Sequence, residues 1–97
     1  MIDMDVKTKV EVKRMVLDVL KPREVSLFEL SKSICAVKGI NEVNIVVTEV
    51  DVKTETMRVT VRGDDVRYED VSGILSDAGC AIRSIDELDI SKKAAVK

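Results

Sequence analysis

Residues 15–50 read MVLDVLKPREVSLFELSKSICAVKGINEVNIVVTEV, and this stretch decides the fold. It opens with an alternating apolar run, continues through an amphipathic segment that closes at Gly39, and ends in a second alternating run. Alternation with period two is typical of a strand, whereas apolar residues three and four apart are typical of a helix. Residues 57–86 repeat the same succession as MRVTVRGDDVRYEDVSGILSDAGCAIRSID. The two halves predict the order βαββαβ, an α+β sandwich in which a four-stranded antiparallel sheet carries two helices on one face.

Both helices have recognisable ends. Ser26 followed by Glu29 is a capping box, which predicts that the first helix begins near Leu27. Glycine favours the left-handed backbone that ends a helix, so Gly39 and Gly79 are the expected terminators. The buried stripes expected from the spacing are Leu27, Leu30, Ile34 and Val37 in the first helix, and Val71, Ile74, Leu75 and Ala78 in the second.

The outer face of the sheet, opposite the helices, is expected to be mixed. Alternation in the two central strands, 15–20 and 57–62, turns one set of apolar residues toward the helices. The other face then carries polar residues and arginines interspersed with Val16, Leu20, Val46 and Val50. A surface that is too apolar for water and too polar for a core suggests an interface between subunits.

The chain length of 97 residues suits one domain. We expect a single domain over residues 13–88. Residues 1–12 are interpreted as a leader that extends the first strand, and residues 89–97 as a disordered lysine-rich tail. No apolar run approaches the roughly 18 residues needed to cross a bilayer, and the N-terminus lacks the pattern of a secretory signal. A cytoplasmic protein is expected, with no membrane partner.

Composition argues against several functions. The formal net charge is -2, and Phe28 and Tyr68 are the sole aromatic residues, so neither a basic surface nor stacking platforms favour nucleic-acid binding. The chain has no histidine, the commonest ligand of transition metals. Cys35 and Cys80 are far apart in sequence and are interpreted as free buried thiols in preference to a disulfide or metal pair.

The activities often found on this plan lack their residues here. RNA-recognition domains need aromatic residues on the central strands, heavy-metal domains need a cysteine pair after the first strand, and acylphosphatases need a glycine-rich phosphate cradle. A nucleophilic serine or cysteine would need a histidine to activate it. The sequence therefore predicts no catalytic residue and no enzyme.

One candidate site is the loop after the first strand. Lys21, Arg23 and the amide groups at the start of the first helix converge there, and together they favour an anion. ACT regulatory domains bind amino acids at this position, usually with a loop glycine that residues 22–25 lack. A solvated basic loop is the alternative interpretation.

A second candidate site consists of carboxylates, namely those of Asp18, Glu49, Asp51, Asp86 and Glu87. Asp18 lies in the middle of a central strand, where a carboxylate needs a partner. Arg58 on the neighbouring strand, or a subunit contact, would supply one. The alternative is calcium or magnesium, which prefer carboxylate and carbonyl oxygens.

Residues 16–22, 39–51 and 82–87 closely resemble an archaeal family, domain of unknown function two-one-one, and the resemblance covers residues 13–88. It implies a ferredoxin-like fold, an archaeal cytoplasmic source and homo-oligomers, and it brings no activity. The polar motif positions that it implies are Asp18, Asn44, Thr48, Glu49, Asp51, Ser84 and Asp86.

Two functional hypotheses are favoured over a third, an enzyme with a carboxylate as general base, because no two titratable groups form a recognisable acid and base pair. The first is a non-catalytic, oligomeric binding or regulatory module, ACT-like in plan and without a cofactor. Its small-ligand site would lie at a subunit boundary and use Asp18, Lys21, Arg23, Asn44, Thr48 and Ser84. The alternative is a calcium- or magnesium-binding module that uses Asp18, Glu49, Asp51 and Asp86, within one chain or shared between chains.

Overall fold

The computed structural model describes residues 9–93, which form four strands and two helices. In chain order the elements are β1 (Val10–Pro22), α1 (Leu27–Cys35), β2 (Ile40–Val50), β3 (Thr54–Gly63), α2 (Tyr68–Asp77) and β4 (Ala81–Lys92). Neighbouring strands are antiparallel, and their spatial order is β2-β3-β1-β4. The predicted βαββαβ order is confirmed, and the fold is a ferredoxin-like α+β sandwich.

The core lies between the sheet and the two helices. The central strands contribute alternate residues, Met15, Leu17 and Val19 from β1 and Met57, Val59 and Val61 from β3. The helices cover them with Leu30, Ile34, Val71 and Leu75. This apolar burial is the main stabilising contribution to the fold, and it leaves the opposite face of the sheet for other tasks.

The helix ends follow the sequence signals at the start of α1 and the end of α2, but not at the end of α1. The N–H of Glu29 donates to the Ser26 hydroxyl oxygen at 3.1 Å, which caps α1. Gly79, with a φ angle of 83°, directly follows the C-cap Ala78 and ends α2 as predicted. Helix α1 instead ends at Cys35 with Ala36 as its C-cap, and Gly39, with a φ angle of 92°, lies in the turn that leads into β2, so its prediction as the terminator of α1 is wrong. Helix α2 begins at Tyr68 after Arg67, whose side chain makes no capping hydrogen bond. No helix in the described part of the chain is long and apolar enough to cross a membrane.

Two expectations need correction. Residues 89–92, expected in a disordered tail, belong to β4, because β1 begins at Val10 and its first residues pair with them, as in Val10 with Lys92. Cys35 is exposed and not buried, since it follows Ile34 and lies one position off the buried stripe of α1. Cys80 is buried as expected. The remaining leader and tail residues, 1–8 and 94–97, lie outside the described residues.

Candidate functional site

The outer face of the sheet, the side away from the helices, presents three rows of side chains that cross the strands in the order β2, β3, β1, β4. Strand register aligns the members of each row as Cα partners. The first row is Glu42, Arg62, Arg14 and Asp89; the second is Asn44, Thr60, Val16 and Glu87; the third is Val46, Arg58, Asp18 and Ser84. Val16 is buried beneath its neighbours, with 3% of its surface exposed, so this face is more polar than the sequence predicts.

A cavity of about 210 Å³ opens on the first two rows, and we call it the outer-face cavity. Its lining is Arg14, Glu42, Asn44, Thr60 and Arg62. These side chains come from the three strands β1, β2 and β3. The cavity therefore combines two guanidinium groups, one carboxylate, one amide and one hydroxyl, a set that can bind a small polar ligand.

The two arginines of the cavity differ in their surroundings. Arg14 donates from Nη1 to Oε1 of Glu87 at 2.7 Å and lies 3.6 Å from Oδ2 of Asp89. The hydrogen bond to Glu87 raises the pKa of Arg14, against a smaller opposing effect of burial. Arg62 is the Cα partner of Arg14 and makes no ion pair with any side chain of residues 9–93. The charge of Arg14 is therefore offset by two carboxylates, whereas the Arg62 guanidinium is the cationic group of the cavity that stays outside an ion pair.

Asp18, a predicted ligand and metal residue, is already paired on the third row. Both Nε and Nη2 of Arg83 lie 3.2 Å from its Oδ2 atom. The expected partner, Arg58, forms no ion pair within the described part of the chain. A register shift between Asp18 and Val19 leaves Arg83 as the extra residue of β4, and the Asp18 carboxylate contacts this residue of the edge strand.

The other predicted ligand residues are spread over the same face. Asn44 lines the outer-face cavity. The Ser84 hydroxyl donates to Oδ1 of Asp86 at 2.7 Å on the edge strand β4. Thr48 lies at a register shift in β2, and its hydroxyl donates to the carbonyl of Thr56 at 3.3 Å. The structure thus brings Asp18 beside Ser84 but keeps Thr48 apart from both.

The register shift at Thr48 also changes which face the end of β2 presents. After the shift Val50 pairs with Glu55, which is itself the partner of Lys21. Partners across an antiparallel ladder lie on the same face, and Glu55 and Lys21 are on the helix side. The expectation that Val50 lies on the outer face is therefore wrong.

The four predicted metal carboxylates are not gathered within one chain. Asp18 is paired with Arg83, and Asp86 accepts the hydroxyl of Ser84, both toward the β4 edge. Glu49 and Asp51 are exposed at the end of β2, the opposite edge of the sheet. Among residues 9–93, no three His, Cys, Asp or Glu side chains are close enough together to hold a metal ion.

Lys21, predicted to bind an anion, is instead enclosed, with 1% of its surface exposed. Its ammonium donates to the carbonyls of Pro22 at 2.9 Å and Val25 at 2.7 Å, and it lies 3.0 Å from Oε1 of Glu55. An ammonium has three hydrogens to donate, and these contacts use them. Lys21 consequently ties the loop after β1 to β3 and has no donor left for a ligand.

Arg23 is also engaged by its surroundings. Its backbone N–H donates to the carbonyl of Lys53 at 2.9 Å, and its Nη1 atom lies 3.5 Å from the carbonyl of Val52. The predicted loop site is therefore fixed against the turn between β2 and β3. It does not share a surface with Asn44 or Ser84.

Four residues of the outer-face cavity were not among the predicted ligands: Arg14, Glu42, Thr60 and Arg62. Alternation places three of them, Arg14, Thr60 and Arg62, on the outer face, so that part of the signal is present in the sequence. Which of them meet in one row depends on the register between β1, β2 and β3. The register of β1 against β3 cannot be read from neighbouring residues, because α1 and β2 lie between these two strands in the chain.

The structure therefore defines a ferredoxin-like α+β domain with a polar cavity on the open face of its sheet. A family model, DUF211, described as uncharacterized ArCR, matches residues 13–96. The uncharacterized protein MJ0319 of Methanocaldococcus jannaschii is 35% identical over 82 residues, which are 84% of each chain. The chain belongs to the DUF211 family. The predicted resemblance is confirmed, and neither match names an activity.

Proposed function

We propose that the protein is a non-catalytic module that binds a small ligand bearing a negatively charged group in the outer-face cavity and acts as a homo-oligomer. One observation carries the proposal: the Arg62 guanidinium lines the cavity and forms no ion pair within residues 9–93, although Glu42 and Arg14 are its Cα partners. An anionic group of a ligand beside Arg62 would supply an ion-pair partner and accept charge-assisted hydrogen bonds.

A role without catalysis is supported by the nucleophiles that the chain offers. Cys80 is 7% exposed, and burial raises the pKa of its thiol, which disfavours the reactive thiolate. Cys35 is exposed on α1, away from the outer-face cavity. The sequence has no histidine that could serve either cysteine or a serine as general base.

Self-association is supported by the edge strand β4. Three apolar side chains of this strand are about half exposed: Ile85 at 46%, Leu88 at 49% and Ile90 at 54%. An edge strand also offers backbone N–H and C=O groups that a second chain could pair with. Ile85 and Leu88 are the Cα partners of Leu17 and Met15, so this apolar patch lies on the helix side of β4, opposite the outer-face cavity.

The proposal is tested by thermal unfolding of the full chain at low ionic strength. Acetate and inorganic phosphate, each at about 10 mM, should raise the Tm if either binds the native state. Arg62→Gln should abolish this increase, whereas Arg67→Gln, which removes an exposed arginine outside the cavity, should retain it. Because phosphate also stabilises proteins without a site, the difference between the variants is the decisive quantity.

Calcium and magnesium chloride form a separate arm of the same experiment. A Tm increase with either cation, retained in Arg62→Gln and lost in Asp18→Asn, would favour the metal hypothesis over the anion site. If no anion and no small polar compound raises the Tm of the unmodified protein more than that of Arg62→Gln, the proposed function is wrong.

A further inference from the structure

We infer that the ligand of the outer-face cavity is a zwitterion with a carboxylate and an ammonium group, of the size of a free α-amino acid. This inference rests on the proposed function and specifies its ligand. It starts from Glu42, the one carboxylate in the lining of the cavity.

Glu42 and Arg62 are Cα partners on β2 and β3, yet their side chains form no ion pair. Within residues 9–93 Glu42 also makes no side-chain hydrogen bond. The cavity thus offers a carboxylate and a guanidinium that do not neutralise each other. An ammonium beside Glu42 and a carboxylate beside Arg62 would satisfy both groups.

Ligands of a single charge fit the cavity less well. A phosphate would meet the two arginines but would be repelled by Glu42, and a simple amine would meet Glu42 but would be repelled by the arginines. A group that carries both charges a short distance apart avoids each repulsion. An α-amino acid is the simplest such compound.

The neutral lining and the size of the cavity agree with this ligand class. Asn44 and Thr60 are Cα partners in the adjacent row, and their amide and hydroxyl can donate to a carboxylate or accept from an ammonium. The volume of about 210 Å³ is below the roughly 300–1,000 Å³ of sites for drug-sized ligands. The cavity therefore suits a compound with few heavy atoms.

The test is isothermal titration of the full chain at low ionic strength with L-α-amino acids, added one at a time. Acetate and methylammonium serve as the two halves of the ligand, and inorganic phosphate serves as the anion without an ammonium. We expect at least one amino acid to bind about 10-fold or more tightly than acetate, and methylammonium not to bind.

Two variants assign the charges. Glu42→Gln should weaken amino-acid binding about 10-fold while leaving acetate binding unchanged or tighter, because it removes only the partner of the ammonium. Arg62→Gln should weaken both compounds, since it removes a partner of the carboxylate. Glu69→Gln, a change at an exposed carboxylate on α2, is the matched control and should leave every affinity unchanged.

The outcomes separate the two proposals. The zwitterion inference is wrong if acetate or phosphate binds as tightly as every amino acid. It is also wrong if the Glu42→Gln variant keeps the full preference for the amino acid over acetate. Either result would leave the proposed anion-binding function in place. If none of the probes binds the unmodified protein, the proposed function itself fails.

Discussion

Among single residues, Lys21 is the one whose removal should cost the most outside the apolar core. Lys21→Met keeps the length of the side chain but leaves the carbonyls of Pro22 and Val25, and the carboxylate of Glu55, without their donor. We expect the free energy of unfolding to fall by about 2–4 kcal/mol, as measured by urea denaturation. Lys38→Met, at an exposed position, should change it by less than about 0.5 kcal/mol. Equal effects of the two changes would contradict a structural role for Lys21.

The free energy of unfolding should depend on pH in the alkaline range because of the Cys80 thiol. Burial raises the pKa of its thiol, against a smaller lowering by the Lys21 ammonium. Above about pH 8.5, the ordinary cysteine pKa, an unfolded chain releases this proton while the folded chain retains it. The folded state then binds more protons, so the free energy of unfolding is fully retained below that pH and falls as the pH rises toward the folded pKa.

This dependence is measured by urea denaturation under reducing conditions between about pH 8 and pH 10. Cys80→Ala should flatten the pH dependence relative to the unmodified chain. Cys35→Ala is the control, because Cys35 is exposed and its removal should leave the slope unchanged. A slope that survives Cys80→Ala would assign the effect to another group.

At the scale of the elements, the two helices differ in how their first turns are capped. Ser26 accepts the N–H of Glu29, whereas Arg67 offers α2 no capping oxygen and forms only an exposed ion pair with Asp65 at 3.5 Å. Ser26→Ala should therefore lower the free energy of unfolding by about 1 kcal/mol, and Arg67→Ser should raise it by a similar amount. Thermal unfolding would show opposite Tm shifts of about 4–8 °C. Shifts of the same sign would contradict the capping argument.

The strands show how far local sequence patterns determine structure. Period-two alternation correctly predicts the strands and the residues of β1 and β3 that face the core. It fails at Thr48, because one extra residue in a bulge exchanges the faces of the residues after it, and Val50 moves to the helix side. It also fails at residues 89–92, whose strand depends on the distant partner strand β1.

The same limit applies to the candidate site. The pattern places Asp18, Asn44 and Ser84 on the sheet but assigns Asp18 to Arg58, because those residues are direct cross-strand partners. The register shift in the edge strand offers Arg83 instead. Lys21 lies at a position of β1 that alternation turns toward the helices, so the pattern predicts its burial. Its charge, in contrast, predicts exposure to solvent.

At the scale of the whole domain, residues 9–93 are more elongated than a compact domain of similar length. Their radius of gyration is 15.2 Å, and their principal dimensions are 53 × 29 × 20 Å. A compact chain of similar length has a radius of about 12 Å. The paired ends of β1 and β4, near Val10 and Lys92, are exposed in this elongated shape. The apolar side chains of Ile85, Leu88 and Ile90 on the β4 edge are in contact with water.

Self-association through the β4 edge would remove that contact with water, and it predicts a specific effect of charge on this strand. Ile90→Lys should lower the molar mass measured by light scattering after size exclusion. Burial of an isoleucine at the interface contributes about 1.5–3 kcal/mol, which the variant loses. A lysine at the same position would also repel the same lysine of the second copy. Val52→Lys, at a more exposed valine in the turn between β2 and β3, should leave the mass unchanged. Circular dichroism should show the same fold in both variants, since Ile90 lies outside the core. A monomer at all concentrations, or an Ile90→Lys protein with the mass of the unmodified one, would show that the β4 edge is not the interface.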